Sequence, residues 1–371
     1  MGWFGKGPSL WQRMTDGLAL GELWSRFKSE TRASYSIYAK RMDSESFRRL
    51  PGWRKVGRIA IALFWQLSAP RRIALLVALL VAFDGAQRRE AGQVMAGSLL
   101  LLFLLGLELA DRLTMKRDLE IAREIQGWLV PKTPPRVQGL DMAFITRPAN
   151  TVSGDYYDAF LRPAQHGSST GQHLLIVVAD VAGKSVPAAL LMATFQASLH
   201  SLAADDRPLP ELIVRLNRYA SAHSFGGLRF TTAFMAELEL DTRTLTYVNA
   251  GHNAPFLMRT GGDIERLVTG GVSLGIDPVA LYESGKVSLH AGDRLVVFSD
   301  GVVESQNRRE EEYGEERLLG LVRATAGLSA QGELNRILES VDEFVGNAPR
   351  YDDTTLLVLH LVETRPADAG A

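Results

Sequence analysis

The stretch 152-VSGDYYDAF-160 places two carboxylates in a run whose other residues favour a β-strand. Asp155 follows a serine and a glycine, and Asp158 lies beyond a pair of tyrosines. A carboxylate that enters a buried strand loses its hydration, so it needs a compensating charge nearby. The partner is either a basic side chain or a metal ion, and the rest of the chain must decide between them.

Three further aspartates recur in the same setting, at or beside the end of an apolar strand. The set consists of Asp155 in 153-SGDYYD-158, Asp180 in 176-IVVADVAGK-184, Asp300 in 295-LVVFSDG-301 and Asp352 in 352-DDTTLLVL-359. No lysine or arginine lies next to all four, and four neighbouring carboxylates would repel one another and shift their pKa values. An acid-rich, all-oxygen site suits Mg²⁺ or Mn²⁺, and two such ions that share one carboxylate can activate a water for attack on phosphorus. The pattern therefore favours a metal as the partner of Asp155.

The second half of the chain shows the pattern of a mixed domain. Strand-like runs lie at 174–180, 232–240, 244–250, 287–300 and 354–362, and helical patterns lie at 187–204, 209–223, 312–326 and 331–346. Glycine and Asp/Asn turns separate these segments. Many antiparallel strands with a few helices predict a layered α+β domain.

Composition and charge divide the chain into two parts. Its 371 residues are 46% hydrophobic, which is enough for a substantial core, and they include no cysteine. Disulfides, cysteine-zinc sites and thiol nucleophiles are therefore excluded. Residues 1–92 hold 16 basic and 7 acidic side chains, a net charge of +9, whereas the remainder holds 25 and 35, a net charge of −10. A basic front and an acidic back indicate two different tasks.

Two apolar runs in the first part predict a helical membrane hairpin. They are 73-IALLVALLVAF-83 and 94-VMAGSLLLLFLLGLELA-110, and a polar connector joins them. A bilayer span takes about 20 apolar residues, which the second run nearly reaches. Basic residues flank the outer ends of both runs, so the positive-inside rule places both ends in the cytoplasm. The alternative is a buried or dimerising helical hairpin in a soluble protein.

A helix is predicted between the hairpin and the second half. Its apolar residues Leu119, Ala122, Ile125 and Leu129 recur at helical spacing, and prolines follow from Pro131 onward. The helix either docks on its own domain or pairs with a second copy of the chain and carries a signal.

Eight sequence blocks occur in an order that resembles one known family. The blocks are 122-AREIQGWLVP-131, 149-ANTVSGDYYDAF-160, 179-ADVAGKSVPAALLMA-193, 231-TTAFMAELEL-240, 249-NAGHNAPFL-257, 292-GDRLVVFSDGVVESQN-307, 313-YGEERL-318 and 352-DDTTLLVL-359. Together they resemble the SpoIIE/RsbU branch of the metal-dependent PPM-type protein serine/threonine phosphatases. The resemblance implies a four-layer αββα sandwich of two antiparallel sheets, a site for two Mn²⁺ or Mg²⁺ ions, and a phosphoserine or phosphothreonine protein as substrate.

The resemblance also assigns roles to individual residues. It implies that Asp155, Asp180, Asp300 and Asp352 bind the metals and act through a metal-activated water. Asp180 would bridge both ions, and Val181 would offer its backbone carbonyl. Ser153 and Ser185 differ from the family, because many relatives have glycine at both positions.

Three further residues are candidates for supporting roles at this site. Asp158 would either hold a metal-bound water or cap a turn, and Asp353 would orient its neighbour. His252 would either touch a metal-bound water or phosphate, or fix a tight connection between strands; the structural role is favoured, because carboxylates already supply the ligands.

These observations divide the chain and predict its task. We expect a basic N-terminal region at 1–65, a two-helix transmembrane hairpin at 66–110, a linker or signalling helix at 111–131, a PPM-type phosphatase domain at 132–363 and a tail at 364–371. The expected protein is a phosphatase at the cell membrane with a cytoplasmic catalytic domain, or alternatively a cytoplasmic one. It would act on a phosphorylated anti-sigma-factor antagonist or a similar switch protein, with a homodimer through the linker helix as a further expectation.

Two other functions compete with this one. The fold could serve as a catalytically silent binding module, although intact carboxylates at all four positions disfavour that, or the site could hydrolyse a small-molecule phosphoester. No nucleic-acid motif accompanies the basic residues, so nucleic-acid binding is not expected.

Overall fold

The structure is a computed structural model that describes residues 67–162, 172–205, 207–224 and 229–363, together with scattered positions between 54 and 65. The predicted basic region at 1–65 lies almost wholly outside the described residues, and the predicted tail at 364–371 lies entirely outside them. The chain forms two compact units, Met1–Leu113 and Thr114–Ala371.

The first unit contains an antiparallel helical hairpin. Helix α1 spans Ala69–Arg88, and helix α2 begins at Ala91 and continues to Leu129. The helices pack closely at Gly97, where an added Cβ would lie 2.7 Å from the Cβ of Ala82. At the far end from the turn, Arg71 Nη1 lies 2.6 Å from the Asp111 carboxylate. The predicted hairpin is therefore present, and its second apolar run forms one unbroken helix with the predicted linker.

The lengths and apolar compositions of the described helices bear on the predicted membrane hairpin. Within the described residues, two helices are long and apolar enough to cross a bilayer, α2 and a later helix at Val186–Ala203. The later helix packs in the core of the second unit, so its apolar character has a different cause. Helix α1 is about 30 Å long at 1.5 Å per residue, but Arg71, Arg72 and Asp84 limit its apolar run to residues 73–83.

The second unit is built on two sheets. Its strands are β1 Leu140–Arg147, β2 Asp155–Arg162, β3 His173–Val181, β4 Thr231–Glu239, β5 Thr244–Ala250, β6 Phe256–Met258, β7 Ile264–Arg266, β8 Gly270–Gly271, β9 Gly285–Ser288, β10 Arg294–Phe298 and β11 Thr354–Leu361. One sheet has the order β1-β11-β10-β6-β7, and the other has the order β2-β3-β4-β5-β8 with β9 also paired to β5. All pairings are antiparallel except the short contact of β5 with β8.

Helices cover the outer face of each sheet. They are α3 Val186–Ala203, α4 Leu209–Ala222, α5 Asp300–Val303, α6 Glu315–Ala324 and α7 Ala330–Val345. Helices α3 and α4 pack against the sheet that contains β3, and α6 and α7 pack against the sheet that contains β10. The predicted four-layer αββα architecture is confirmed. The predicted run at 287–300 proves to be two strands, β9 and β10, because a turn at Gly292 divides it.

Strand β3 shows why its sequence is almost continuously apolar. Leu174, Ile176 and Val178 face the opposite sheet, while the residues between them face helix α3, and all are buried. A strand that is covered on both faces has no position for a solvated side chain until it ends. Asp180 lies at that end, where the two sheets open to solvent.

Candidate active site

Asp155 and Asp180 lie directly opposite each other on neighbouring strands. Asp155 begins β2 and pairs in register with Asp180 near the end of β3. The Asp155 side chain is buried, and its Oδ2 atom has no hydrogen-bond partner. Burial and the nearby Asp180 charge raise the pKa of Asp155 well above its usual range. Burial and the Asp300 charge raise the pKa of Asp180 to about 7. The two carboxylates therefore lack the positive charge that would keep both ionised.

Asp300 and Asp352 approach from the other sheet. Asp300 is the first residue of α5, directly after β10, and Asp352 precedes β11. Burial and the charge of Asp352 raise the pKa of Asp300. Glu304, one turn further along, also has a raised pKa, because of burial and then the Asp300 charge. The sequence predictions did not include Glu304, which has no strand-end pattern to reveal it.

Asp353 anchors the loop that leads to Asp155. Its Oδ2 accepts hydrogen bonds from the Gly154 N–H at 2.7 Å and from the Ser153 hydroxyl at 2.8 Å. Its Oδ1 accepts from the Ala149 N–H at 2.7 Å. The carboxylate thus joins the start of β11 to the loop before β2 across the two sheets. The sequence prediction was that Asp353 orients its neighbour. The Asp353 N–H donates to Asp352 Oδ1 at 3.0 Å, and the Asp353 side chain additionally holds the loop before Asp155.

The last turns of α2 contact the same loop. The Gln126 side-chain amide donates to the Ser153 carbonyl at 2.6 Å and accepts from the Ser153 N–H at 3.0 Å. Ser153 in turn accepts the Asp155 N–H on its hydroxyl at 3.0 Å. Gln126 was missed as a site residue, although it lies within the first of the eight blocks, because an amide on a helix gives no pattern of its own.

Comparison with known proteins identifies the family. The sequence model of "Stage II sporulation protein E (SpoIIE)" matches residues 170–362, more than half of the chain. The chain belongs to the SpoIIE family. It is 31% identical over 247 residues to "Phosphoserine phosphatase RsbU" of Bacillus subtilis, which covers 66% of this chain and 70% of RsbU. The predicted SpoIIE/RsbU branch of the PPM-type phosphatases is therefore confirmed.

Two further similarities extend this result. "Protein IcfG" of Synechocystis sp. is 27% identical over 272 residues, a match that covers 66% of this chain but only 41% of IcfG. The chain thus spans less than half the length of that relative. The structure of the "SiaA-PP2C domain of Pseudomonas aeruginosa" superposes with a TM-score of 0.58 at 20% identity and covers 68% of this chain and 98% of that domain. At that identity the likeness supports the fold alone.

Asp158 lies within β2 and therefore does not cap a turn, and the suggestion that it holds a metal-bound water stays a prediction. It lies in the middle of β2, where its side chain points to the helix-covered face, whereas Asp155 faces the other sheet. Its Oδ2 accepts from the Tyr156 hydroxyl at 2.5 Å and lies 2.7 Å from His200 Nε2 on α3. Asp158 is three positions after Asp155, an odd offset, so the alternation of a strand places them on opposite faces.

His252 supports the connection after β5. Its N–H donates to the Asn249 side chain at 2.7 Å, and its Nδ1 lies 2.9 Å from the hydroxyl of Thr232, the residue that pairs with Asp180. Burial lowers the pKa of His252 to about 4, which keeps the imidazole neutral at neutral pH. These contacts favour the structural role over contact with a phosphate.

The donor set fits oxygen-preferring divalent cations. Four carboxylates lie at one end of the sandwich, one of them has an orphaned buried oxygen, and three have raised pKa values. Such a set favours Mg²⁺ or Mn²⁺ over softer metals. In the described part of the chain no three acidic or histidine side chains are arranged closely enough to hold an ion. Lys184 forms an ion pair of 2.8 Å with Asp352.

Proposed function

We propose that the protein is a metal-dependent phosphatase that removes phosphate from serine or threonine of a protein substrate. The buried Asp155 with its unpartnered oxygen, directly opposite Asp180, is the observation that carries the proposal. Two Mn²⁺ or Mg²⁺ ions would be held by Asp155, Asp180, Asp300 and Asp352, with Asp180 between them and the carbonyl of Val181 as a further ligand. Bound ions would neutralise these carboxylates and polarise the phosphoryl group.

The surrounding residues position this machinery. Asp353 and Gln126 fix the backbone of Ser153 and Gly154, so the Asp155 carboxylate is held at one place before any ion binds. Preorganised ligands lower the cost of assembling a metal site. His252 remains neutral and adds no positive charge that would compete with the ions.

The proposed substrate is a phosphorylated switch protein, such as an anti-sigma-factor antagonist. Two similar proteins carry the name phosphoserine phosphatase, which supports phosphoserine as the target. Another similar structure contains RsbU and RsbW domains in one protein, which supports a place in partner switching. The alternatives are hydrolysis of a small phosphoester or silent binding. The retained acidic cluster disfavours a silent module, since a scaffold gains nothing from groups that repel one another.

We further propose attachment to the cell membrane with the catalytic unit in the cytoplasm. Helix α2 supports this proposal through its long apolar stretch, of which only a small fraction is buried within the protein. Uncompensated apolar surface of that extent is stable in lipid. A cytoplasmic protein whose hairpin is covered by a partner is the alternative.

A homodimer through the linker part of α2 is also proposed. The residues of the predicted apolar stripe on this helix differ in exposure. Leu119, Ala122 and Leu129 are half-buried, whereas Ile125 is exposed beside Ile121 and Trp128. Positions 121, 125 and 128 follow the four-and-three spacing of a helix pair. An apolar stripe with no cover on its own domain supports pairing with a second copy.

The activity is tested with the full chain in detergent. Phosphate release is measured from a phosphoserine peptide and from an aryl phosphate, with added Mn²⁺, with Mg²⁺ and with excess chelator. We expect release that requires the metal and is faster with the peptide. Full activity in chelator would refute the metal mechanism, and preference for the aryl phosphate would favour the small-molecule alternative.

A further inference from the structure

Lys184 forms an ion pair with one of the four clustered carboxylates. Its Nζ lies 2.8 Å from Asp352 Oδ2 and also donates to the carbonyl of Tyr351. Among the described residues, no other lysine or arginine is ion-paired to Asp155, Asp180, Asp300 or Asp352. Its charge also offsets part of the rise that burial causes in the pKa of Asp300. Lys184 therefore supplies positive charge at the place where the proposed function requires metal ions.

The backbone around Lys184 directs its side chain toward the cluster. Gly183 has φ of 118°, and Ser185 has φ of 67° with ψ of −151°, a conformation that non-glycine residues rarely adopt. Helix α3 begins immediately afterwards at Val186. Strained backbone of this kind persists where the surrounding structure holds it, and it is concentrated at functional sites. Here it turns Lys184 back over the acidic end of the sandwich instead of along the helix.

The ion pair is also easy to exchange. The side chains of Lys184 and Asp352 are 52% and 43% exposed, and ion pairs with that exposure contribute little stability. Asp353, by contrast, is buried and accepts three hydrogen bonds. Lys184 can therefore leave Asp352 when a divalent cation binds there, while the Asp353 carboxylate stays in place.

A released lysine has an obvious anionic partner at the same site. Its flexible stem carries three N–H donors, and an ammonium group binds phosphate well as a point charge. A divalent ion on Asp352 would also repel the ammonium from its resting position. In the proposed function, the anion that enters the mouth of the site is the phosphoryl group of the substrate.

We propose that Lys184 is a substrate-binding residue that exchanges partners. In the metal-free site its ammonium group neutralises Asp352, and when a divalent ion binds Asp352, the lysine moves to the phosphoryl oxygens of the substrate. This inference rests on the proposed function, because it requires both a metal on Asp352 and a phosphorylated substrate.

The exchange predicts opposite changes in two constants for Lys184→Met. The Kd for Mn²⁺, measured by titration calorimetry on the full chain without substrate, should fall about two- to fivefold, because a competing exposed ion pair is removed. The KM for a phosphoserine peptide at saturating Mn²⁺ should rise about tenfold or more, because a charge-assisted hydrogen bond to phosphate is lost. Lys184→Arg should restore most of the KM, since it keeps the charge.

Lys286→Met is the matched control, because it makes the same change on β9, away from the cluster, and should alter neither constant. Thermal melts of each variant in chelator verify folding. A Lys184→Met variant whose Mn²⁺ affinity is unchanged or weaker, or whose KM equals that of the wild type, overturns the exchange while the proposed function stands. Wild-type protein that neither binds Mn²⁺ nor releases phosphate overturns both.

Discussion

Replacement of Asp353 by asparagine separates loop anchoring from metal binding. The carboxylate accepts the N–H groups of Gly154 and Ala149 and the hydroxyl of Ser153 at 2.7–2.8 Å. An asparagine offers one carbonyl oxygen and one NH₂ group, so at least one of these donors would face another donor. Hydrogen bonds to a charged group contribute about 1.5–3 kcal/mol each, and an orphaned buried donor costs about 1–3 kcal/mol.

We therefore expect Asp353→Asn to lower the free energy of unfolding by about 2–4 kcal/mol, since the lost charge assistance and the unpaired donor act together. The comparison is Asp352→Asn, one residue earlier. Asp352 makes a half-exposed ion pair with Lys184, accepts the Asp353 N–H on Oδ1 at 3.0 Å, which an asparagine carbonyl could also accept, and repels its acidic neighbours. Its replacement should change the unfolding free energy by no more than about 1 kcal/mol in either direction.

The assay is urea unfolding of the 112–371 fragment, followed by far-UV circular dichroism in excess chelator. Chelator is essential, because a metal that binds only the folded state would add its own binding energy to the stability. Mn²⁺ affinity is then measured separately and should weaken in both variants. Wild-type stability of Asp353→Asn, or a greater loss in Asp352→Asn, would refute the anchoring role drawn from these hydrogen bonds.

Four further outcomes are expected. Asp180→Asn should abolish nearly all metal-dependent phosphate release in a folded protein, because it removes the ligand proposed to lie between the ions; unchanged turnover contradicts this. The full chain should sediment with membranes and remain there in high salt, since salt screens headgroup attraction but does not release a spanning helix, whereas release without detergent contradicts it. The double variant Leu119→Asp/Ile125→Asp should change turnover several-fold but leave Mn²⁺ affinity near the wild-type value, because charges on the apolar face of α2 disrupt its packing or pairing. Turnover and an oligomeric state by light scattering that both equal those of the wild type would show that the linker part of α2 is a passive tether. Burial alone would raise the pKa of Glu333, but hydrogen bonds from His360 and Thr325 and the charge of Arg294 hold that pKa below its usual value. The free energy of unfolding of the wild type should therefore fall as the pH drops below about 4, and acid unfolding of Glu333→Gln should show a shallower decline over that range.

Much of the architecture could be predicted from local sequence patterns. Strand β3 is apolar from Leu174 to Ala179 because both of its faces are covered, and Asp180, the first polar residue after that run, marks where the sandwich ends. The same rule located Asp300 after β10 and Asp352 before β11. Short strands such as β6, β7 and β8 escaped prediction, because two or three residues carry too little periodicity to distinguish a strand from a loop.

Side-chain roles depended on contacts that no local pattern encodes. Asp158 and Asp155 share one short motif, yet strand alternation directs them to opposite faces, and only the position of α3 gave Asp158 its partner His200. The half-buried stripe on α2 likewise differed from the predicted one, because the domain surface decides which side of a helix is covered.

The sequence by itself determined the layered α+β fold, the four strand-end carboxylates and the apolar hairpin, because each of these features depends on a pattern of apolar and polar residues that repeats within a few positions. Only the tertiary structure decided that Asp353 holds Ser153 across 200 positions, that Gln126 reaches the same loop, and that Lys184 meets Asp352. Those contacts join segments far apart in the chain, and hydrogen bonds act over about 3 Å in space whatever the separation in sequence.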